Sequence, residues 1–140
     1  MELEIKENYK PLYAESMQKV YQSVGWNKHT IEVINQVFAA STHVAVAFKG
    51  NRLIGFGRAL SDGVFNAAIY DVVVHIEEQG NEVASEIINS LLTQMKSVSC
   101  IHLVSTIGNE GFYKKFGFQI LKTGMARYLS KELAETYLIE

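Results

Sequence analysis

Asn109-Glu110-Gly111-Phe112-Tyr113-Lys114-Lys115-Phe116-Gly117-Phe118 is the stretch on which the reading of this chain turns. An apolar run, Ile101 to Thr106, leads into it and reads as a strand. The stretch itself reads as one short helix. Asn109 stands where an N-cap belongs, since its side chain can accept a hydrogen bond from a free first-turn amide. Gly117 stands where a chain leaves a helix in the left-handed conformation, which glycine adopts without steric cost. Phe112, Phe116 and Phe118 offer an apolar face to a sheet, and Tyr113 carries a phenol on the same turn.

Working outward, the apolar period alternates between the two regular structures. Leu3 to Lys6 is expected to be a short first strand. Pro11 to Gln22 is expected to be a helix that opens on the only proline, with Leu12, Met17, Val20 and Tyr21 on one face. A loop, Val24-Gly25-Trp26, separates it from a second helix, Thr30 to Ala40, whose apolar face carries Ile31, Ile34, Val37 and Phe38. The period then changes. Thr42 to Phe48 and Leu53 to Leu60 form a hairpin across Lys49-Gly50-Asn51-Arg52. Asn66 to Val74 is a longer strand whose apolar end suggests burial on both faces. Val83 to Ser97 is the strongest helix, with Ile87, Ile88, Leu91, Leu92 and Met95 turned to the core. The strand Ile101 to Thr106 and the short helix follow. Two further strands, Phe118 to Lys122 and Met125 to Leu129, and a terminal helix, Lys131 to Leu138, complete the order. The result is a mixed α/β sheet around a strand-helix-strand unit, and a crossover helix makes the strands of that unit parallel. Gly55-Phe56-Gly57-Arg58 precedes no helix, so it reads as a bulged strand rather than a phosphate loop.

Composition limits the function. The 140 residues point to a single domain over 1–140, and 48% hydrophobic residues supply its core. Net charge is -2 and the thirteen Lys and Arg residues are scattered, which argues against a nucleic-acid partner. The single cysteine, Cys100, opens an apolar strand and is expected to be core rather than nucleophile. No apolar run approaches the ~18 residues of a membrane-spanning helix, and the first residues lack the apolar stretch of a signal peptide. A cytoplasmic protein with no membrane association is the expectation.

The strand, asparagine, short helix with its Phe-Tyr pair and Gly-Phe exit resemble the acyl-CoA-facing segment of the GNAT superfamily of acyl-CoA N-acyltransferases. The resemblance runs in element order from Leu3 to about Leu129. It implies a GNAT-like fold with a central mixed sheet of six to seven strands flanked by about four helices. The implied reaction is transfer of an acetyl group from acetyl-CoA to a primary amine, without a metal.

A second motif is damaged. The family holds the coenzyme pyrophosphate in a Gln/Arg-x-x-Gly-x-Gly/Ala loop before a helix, where free amides and the helix dipole favour anions. The aligned residues here are Gln79-Gly80-Asn81-Glu82-Val83-Ala84, followed by Ser85. Gln79, Gly80 and Ala84 fit, but Glu82 stands where the pattern has glycine. Two like charges ~6 Å apart repel by roughly 0.7 to 3 kcal/mol, depending on the dielectric. The side chain escapes that penalty if it turns to solvent. Helix starts also favour acids, so a plain strand-to-helix connection explains the loop equally well.

The resemblance implies roles residue by residue. Tyr113 would act as general acid on the leaving thiolate; otherwise it is a tyrosine packed on the sheet. Asn109 would bond the pantetheine, or only cap its helix. Val72, Val73 and Val74 would offer backbone groups to the pantetheine. Asp71, near where the acceptor would sit, is a candidate general base, with His75, His43 and His102 behind it, and water serves that role in several members. Trp26, Arg58, Phe65 and Tyr70 could line the acceptor pocket. The acceptor stays open among polyamines, amino acids, aminoglycoside-like amines and peptide or protein amines. Homodimerisation through the terminal strands is conceivable. The alternative is a catalytically impaired GNAT-like binding or regulatory module, favoured by Glu82, or an α/β domain that binds no coenzyme.

Overall fold

The computed structural model describes residues 2–139, in two compact units that divide between Val104 and Ser105. In the first unit, β1 (Leu3–Lys6) is followed by a single 3-10 turn, Pro11–Tyr13, and by α1 (Ala14–Ser23) and α2 (Ile31–Ala39). Then come β2 (His43–Lys49), β3 (Arg52–Ser61), β4 (Asn66–Val74), α3 (Val83–Gln94) and β5 (Cys100–Leu103). The strands form one sheet in the order β1-β2-β3-β4-β5. All neighbours are antiparallel except β4 and β5, which run parallel, as a crossover through α3 requires.

Alternation along the strands divides the core. Phe56, Val73, Val44 and Val46 face α1 and α2, where they meet Met17, Val20, Tyr21, Ile34 and Phe38. The opposite face receives α3 through Ile87, Ile88 and Leu91, all with no exposed surface. Two glycines on β3 set how close α3 comes. A Cβ at Gly57 would lie 2.8 Å from Ile87 Cγ2 and 3.2 Å from Leu91 Cδ1, and one at Gly55 would lie 3.3 Å from Ile87 Cδ1. The bulge expected in the Gly55-Phe56-Gly57-Arg58 stretch lies instead on the strand that faces it, β4, because the extra residue is there. Arg58 pairs with Tyr70 and Phe56 with Val73, so Asp71 and Val72 together oppose Gly57.

After β4 the chain is pinned to its surroundings. His75 N–H donates to Ile54 O (2.8 Å) and Ile76 N–H to Ser23 Oγ (3.1 Å). A 3-10 turn, Ile76–Glu78, follows, and it buries Glu78 between Arg52 (2.9 Å) and Lys49 (3.4 Å) of the β2–β3 hairpin. Burial pushes the Glu78 carboxyl up, but the Lys49 ammonium and the Arg52 guanidinium outweigh it and hold the group below its ordinary value.

The second unit holds α4 (Glu110–Lys114) and α5 (Lys131–Tyr137). The sheet therefore has five strands rather than six to seven, and the helices number five among the described residues. Phe118–Lys122 and Met125–Leu129 are not strands: strand-forming side chains do not make a strand without a partner for the backbone, and neither segment has one among the described residues. Three further expectations shift. Leu12 is 76% exposed, because the 3-10 turn puts it out of phase with α1. Cys100 is exposed at the first position of the edge strand β5 rather than buried. The strand expected to reach Thr106 ends at Leu103.

Two measurements check this packing. Gly57→Ala should cost about 1–3 kcal/mol by overpacking against α3, read as a lower denaturant midpoint. Gly111→Ala, in open space on α4, should cost nothing. Glu78→Gln should destabilise the protein at pH 7. A carboxyl depressed by folding contributes stability above its unfolded value, here 4.5, and loses it as pH falls through the folded value. The gap between wild type and Glu78→Gln should therefore close below about pH 4.5, and a gap that stays constant into acid would show that the ion pairs do not carry it.

Candidate functional site

β5 pairs with β4 only from Asn66 to Ile69. From Tyr70 to Val74 the β5 side of β4 has no strand partner among the described residues. His75 N–H points to β3, so alternation turns the backbone groups of Val74 the other way, toward this open edge. One of them is already used: Gln79 Nε2 donates to Val74 O at 3.1 Å. Val72, Val73 and Val74 thus lie where β4 has an open side, with Val73 and Val74 buried by their side chains.

The same strand leads through the pinned turn to the start of α3. Gly80 has φ +86 and Glu82, the residue before the helix, has φ +66. Glutamate here holds the left-handed conformation that glycine would hold freely, at a cost of roughly 1–2 kcal/mol. Its side chain is exposed and caps no amide of the first turn. The first-turn amides of Val83, Ala84 and Ser85 have no intrahelical acceptor by helix geometry, and they point past Glu82 with the positive end of the α3 dipole. Asn81 is exposed in the loop between the two left-handed residues. Donors of this kind suit a phosphate, and the open β4 edge suits an extended amide chain, so this part of the chain fits coenzyme A. The Glu82 carboxylate, with Glu86 in the first turn of α3, has the wrong sign for an anion.

On the α1/α2 face the structure gathers three of the expected acceptor residues around Asp71. Arg58 Nε lies 2.9 Å from Asp71 Oδ2, and Tyr21 Oη donates to the same oxygen at 3.2 Å. The Arg58 guanidinium also sits 5.0 Å over the Tyr70 ring and reaches Ser41 Oγ at 3.4 Å. Trp26 stacks on Tyr21 at 5.8 Å, and His29 lies flat on Tyr21 at 3.8 Å. Phe65 stands apart, 66% exposed in the β3–β4 turn. Burial drives the Tyr21 phenol far above its ordinary value, and the Asp71 charge and hydrogen bond add to it. The phenol therefore stays a donor to Asp71 at every working pH.

The histidines are occupied otherwise. His75 Nδ1 accepts from Glu77 N–H and caps the 3-10 turn, His43 Nδ1 lies 3.1 Å from Gln94 Oε1, and His102 is exposed on β5. Tyr21, His29 and Ser41 are the members that reading the sequence passed over. Tyr21 reads as helix core, and the only hint of its second role is a hydroxyl on an apolar helix face.

Tyr113 and Asn109 lie in the second unit. Asn109 precedes α4, yet its side chain makes no cap; its amide donates to Thr106 Oγ1 instead, while Glu110 Oε1 accepts from Gly108 N–H. Gly117 has the expected left-handed φ of +89, and its N–H bonds Lys114 O. Tyr113 packs edge-on against Phe112 and Phe118 with ring centroids at 5.0 and 6.0 Å. Burial raises its phenol above the ordinary value of 10.0. Among the described residues no three His, Cys, Asp or Glu side chains gather as a metal site, and no helix is long and apolar enough to cross a membrane.

Known proteins resemble this chain in sequence and fold. The sequence pattern of the acetyltransferase (GNAT) family matches residues 6–118. The uncharacterized N-acetyltransferase ycf52 of Porphyra purpurea is 32% identical over 117 residues, which cover 79% of this chain and 67% of that protein. The chloroplastic serotonin N-acetyltransferase 2 of Oryza sativa subsp. japonica is 30% identical over 84% of this chain and 63% of its own length. The chain spans 59% to 67% of the length of the first three curated relatives. Among solved structures, the GNAT family protein SP0256 from Streptococcus pneumoniae TIGR4 superposes with a TM-score of 0.78 at 26% identity, covering 93% of this chain and 99% of that one. The mixed sheet, the parallel β4–α3–β5 unit and the family pattern across most of the sequence agree: the chain belongs to the acetyltransferase (GNAT) family.

Proposed function

We propose that this chain is an N-acetyltransferase that moves an acetyl group from acetyl-CoA to a primary amine by direct attack. The observation that carries the reading is the open edge of β4 running into the amide-rich start of α3. The α3 amides of Val83, Ala84 and Ser85, with Gln79, Gly80 and Asn81 before them, would hold the pyrophosphate. The backbone of Val72 to Val74 would pair with the pantetheine. Glu82 is exposed, so its carboxylate can turn to solvent while its backbone keeps the left-handed turn the motif needs.

In this reading the amine nitrogen attacks the thioester carbonyl carbon, the C–S bond breaks, and the sulfur leaves as a thiolate. Backbone N–H groups at the β4 edge would stabilise the charge on the carbonyl oxygen. Tyr113 would donate a hydrogen bond and then its proton to the sulfur. Its raised phenol holds that proton throughout the neutral range. The Asp71 carboxylate is committed to Arg58 and Tyr21, so the amine proton passes to water. Trp26, Arg58 and Tyr70, with the more distant Phe65, would border the acceptor. The ring-rich lining and the similarity to a protein named for serotonin acetylation support an aromatic amine as the first acceptor to try. The relatives named as chloroplastic bear on where the chain works, and an organellar setting is an alternative to the expected cytoplasmic one.

Calorimetric titration with acetyl-CoA, with coenzyme A beside it, tests the reading. Micromolar binding is expected; no binding at millimolar ligand would leave the non-catalytic module as the better account. Glu82→Gly should bind at least as tightly as wild type and melt higher, because it removes a like charge and a left-handed strain together. A weaker-binding glycine variant would show that the carboxylate contributes to the site. Tyr113→Phe should lower kcat by about ten- to a thousand-fold, measured as thiol release with a responsive amine such as tryptamine. Deprotonation of a raised phenol occurs above pH 10, so the alkaline limb due to Tyr113 should lie above that value; a limb far below it belongs to another group.

A further inference from the structure

Asp71 combines two features that rarely meet in one residue. Its φ is +52, inside a strand, on a side chain that is not glycine. Its carboxylate is also held by Arg58 at 2.9 Å and by Tyr21 at 3.2 Å, with both side chains of the ion pair four-fifths or more covered. A left-handed non-glycine residue persists only where its surroundings over-determine it. Here three residues supply the surroundings: Tyr21 on α1 and Arg58 on β3 hold the carboxylate, and Ser41 after α2 lies 3.4 Å from Arg58 Nη1.

The position of the residue shows what is being held. Asp71 is one of the two residues opposing Gly57, so it supplies the extra residue of the β4 bulge. Were the bulge flattened, Asp71 alone would oppose Gly57 and the alternation of β4 would shift by one from Val72 onward. Val73 would leave the α1/α2 core it now fills, and Val72 would take its place. The backbone groups of Val72 to Val74 that face the open edge would exchange with those that face β3.

We infer that Asp71, Arg58 and Tyr21 form a latch that locks the β4 bulge, and that Asp71 is a positioning residue, setting which backbone groups of Val72–Val74 face the coenzyme. The second half rests on the proposed acetyl-CoA reading; the first half does not. The latch needs a residue that tolerates φ +52 and an acceptor for two donors. Asparagine keeps both, glycine keeps the conformation alone, and alanine keeps neither.

The experiment compares Asp71→Asn, Asp71→Gly and Asp71→Ala by thermal unfolding and by calorimetric titration with acetyl-CoA. Alanine is ordinarily better than glycine in a strand or helix; a left-handed site reverses that order. Asp71→Gly is expected to melt about 3 to 6 °C above Asp71→Ala, with Asp71→Asn at or above Asp71→Gly. The acetyl-CoA dissociation constant is expected to rise about ten-fold in Asp71→Ala and to stay within about three-fold of wild type in Asp71→Asn. Tyr21→Phe, which leaves the carboxylate and removes one donor, is expected to lie between these. An alanine variant that melts at or above the glycine variant would overturn the latch. The expected melting order with equal coenzyme affinity in all variants would overturn the positioning role. A wild type that binds no acetyl-CoA, with that order intact, would overturn the coenzyme reading and the positioning role while the latch stands.

Discussion

The close seating of α3 on β3 is the constraint on which the rest of the first unit depends. Gly57 and Gly55 remove two side chains from the middle of a sheet face, and Ile87 and Leu91 occupy the space. Glycine in a strand interior costs roughly 0.5–1 kcal/mol in backbone entropy. Burying side chains such as Ile87 and Leu91 returns about 1.5–3 kcal/mol each, so the exchange favours the close approach. Because α3 is the crossover between β4 and β5, its seating also fixes where its first turn lies relative to the end of β4. The free amides of that turn and the open edge of β4 are thereby held in one rigid body, before any ligand arrives.

Strain in this unit is confined to the same region. The two non-glycine residues with positive φ among the described residues are Asp71 and Glu82, at the bulge of β4 and at the start of α3. Between them runs the segment 72–81, tied down by Ile54, Ser23, Lys49 and Arg52. Those ties are what make the two unfavourable conformations affordable: a loop free to relax would abandon them. The buried Glu78 belongs to this support rather than to the chemistry, because its charge is spent on Arg52 and Lys49.

The chain belongs to the acetyltransferase (GNAT) family, and its local departures from the family pattern make it particular. The loop before α3 keeps a left-handed backbone at Glu82, where the family's pattern has glycine. In the proposed coenzyme site the difference is electrostatic, a negative charge whose exposed side chain limits the penalty. Asp71, a candidate base when only its position along the strand is known, is bound on one oxygen by a cation and a phenol, so its charge is balanced inside the fold.

The pattern of residues by itself determined the order of elements in the first unit, the crossover through α3 and the glycine exit at Gly117. These follow from local rules: periodicity, turn chemistry and the freedom of glycine. The strand segments Phe118–Lys122 and Met125–Leu129 were misjudged because propensity describes what a segment can do, while a strand also needs a backbone to pair with. Cys100 and Leu12 are exposed against their apolar character because burial depends on which neighbours arrive and on the phase of one 3-10 turn. Only the tertiary structure decided that Tyr21 reaches Asp71, fifty positions away, and that Arg58 pairs with it across the bulge. Such contacts join elements that are remote in the chain, and they are set by the crossing of α1 over the sheet, which no short stretch of sequence encodes.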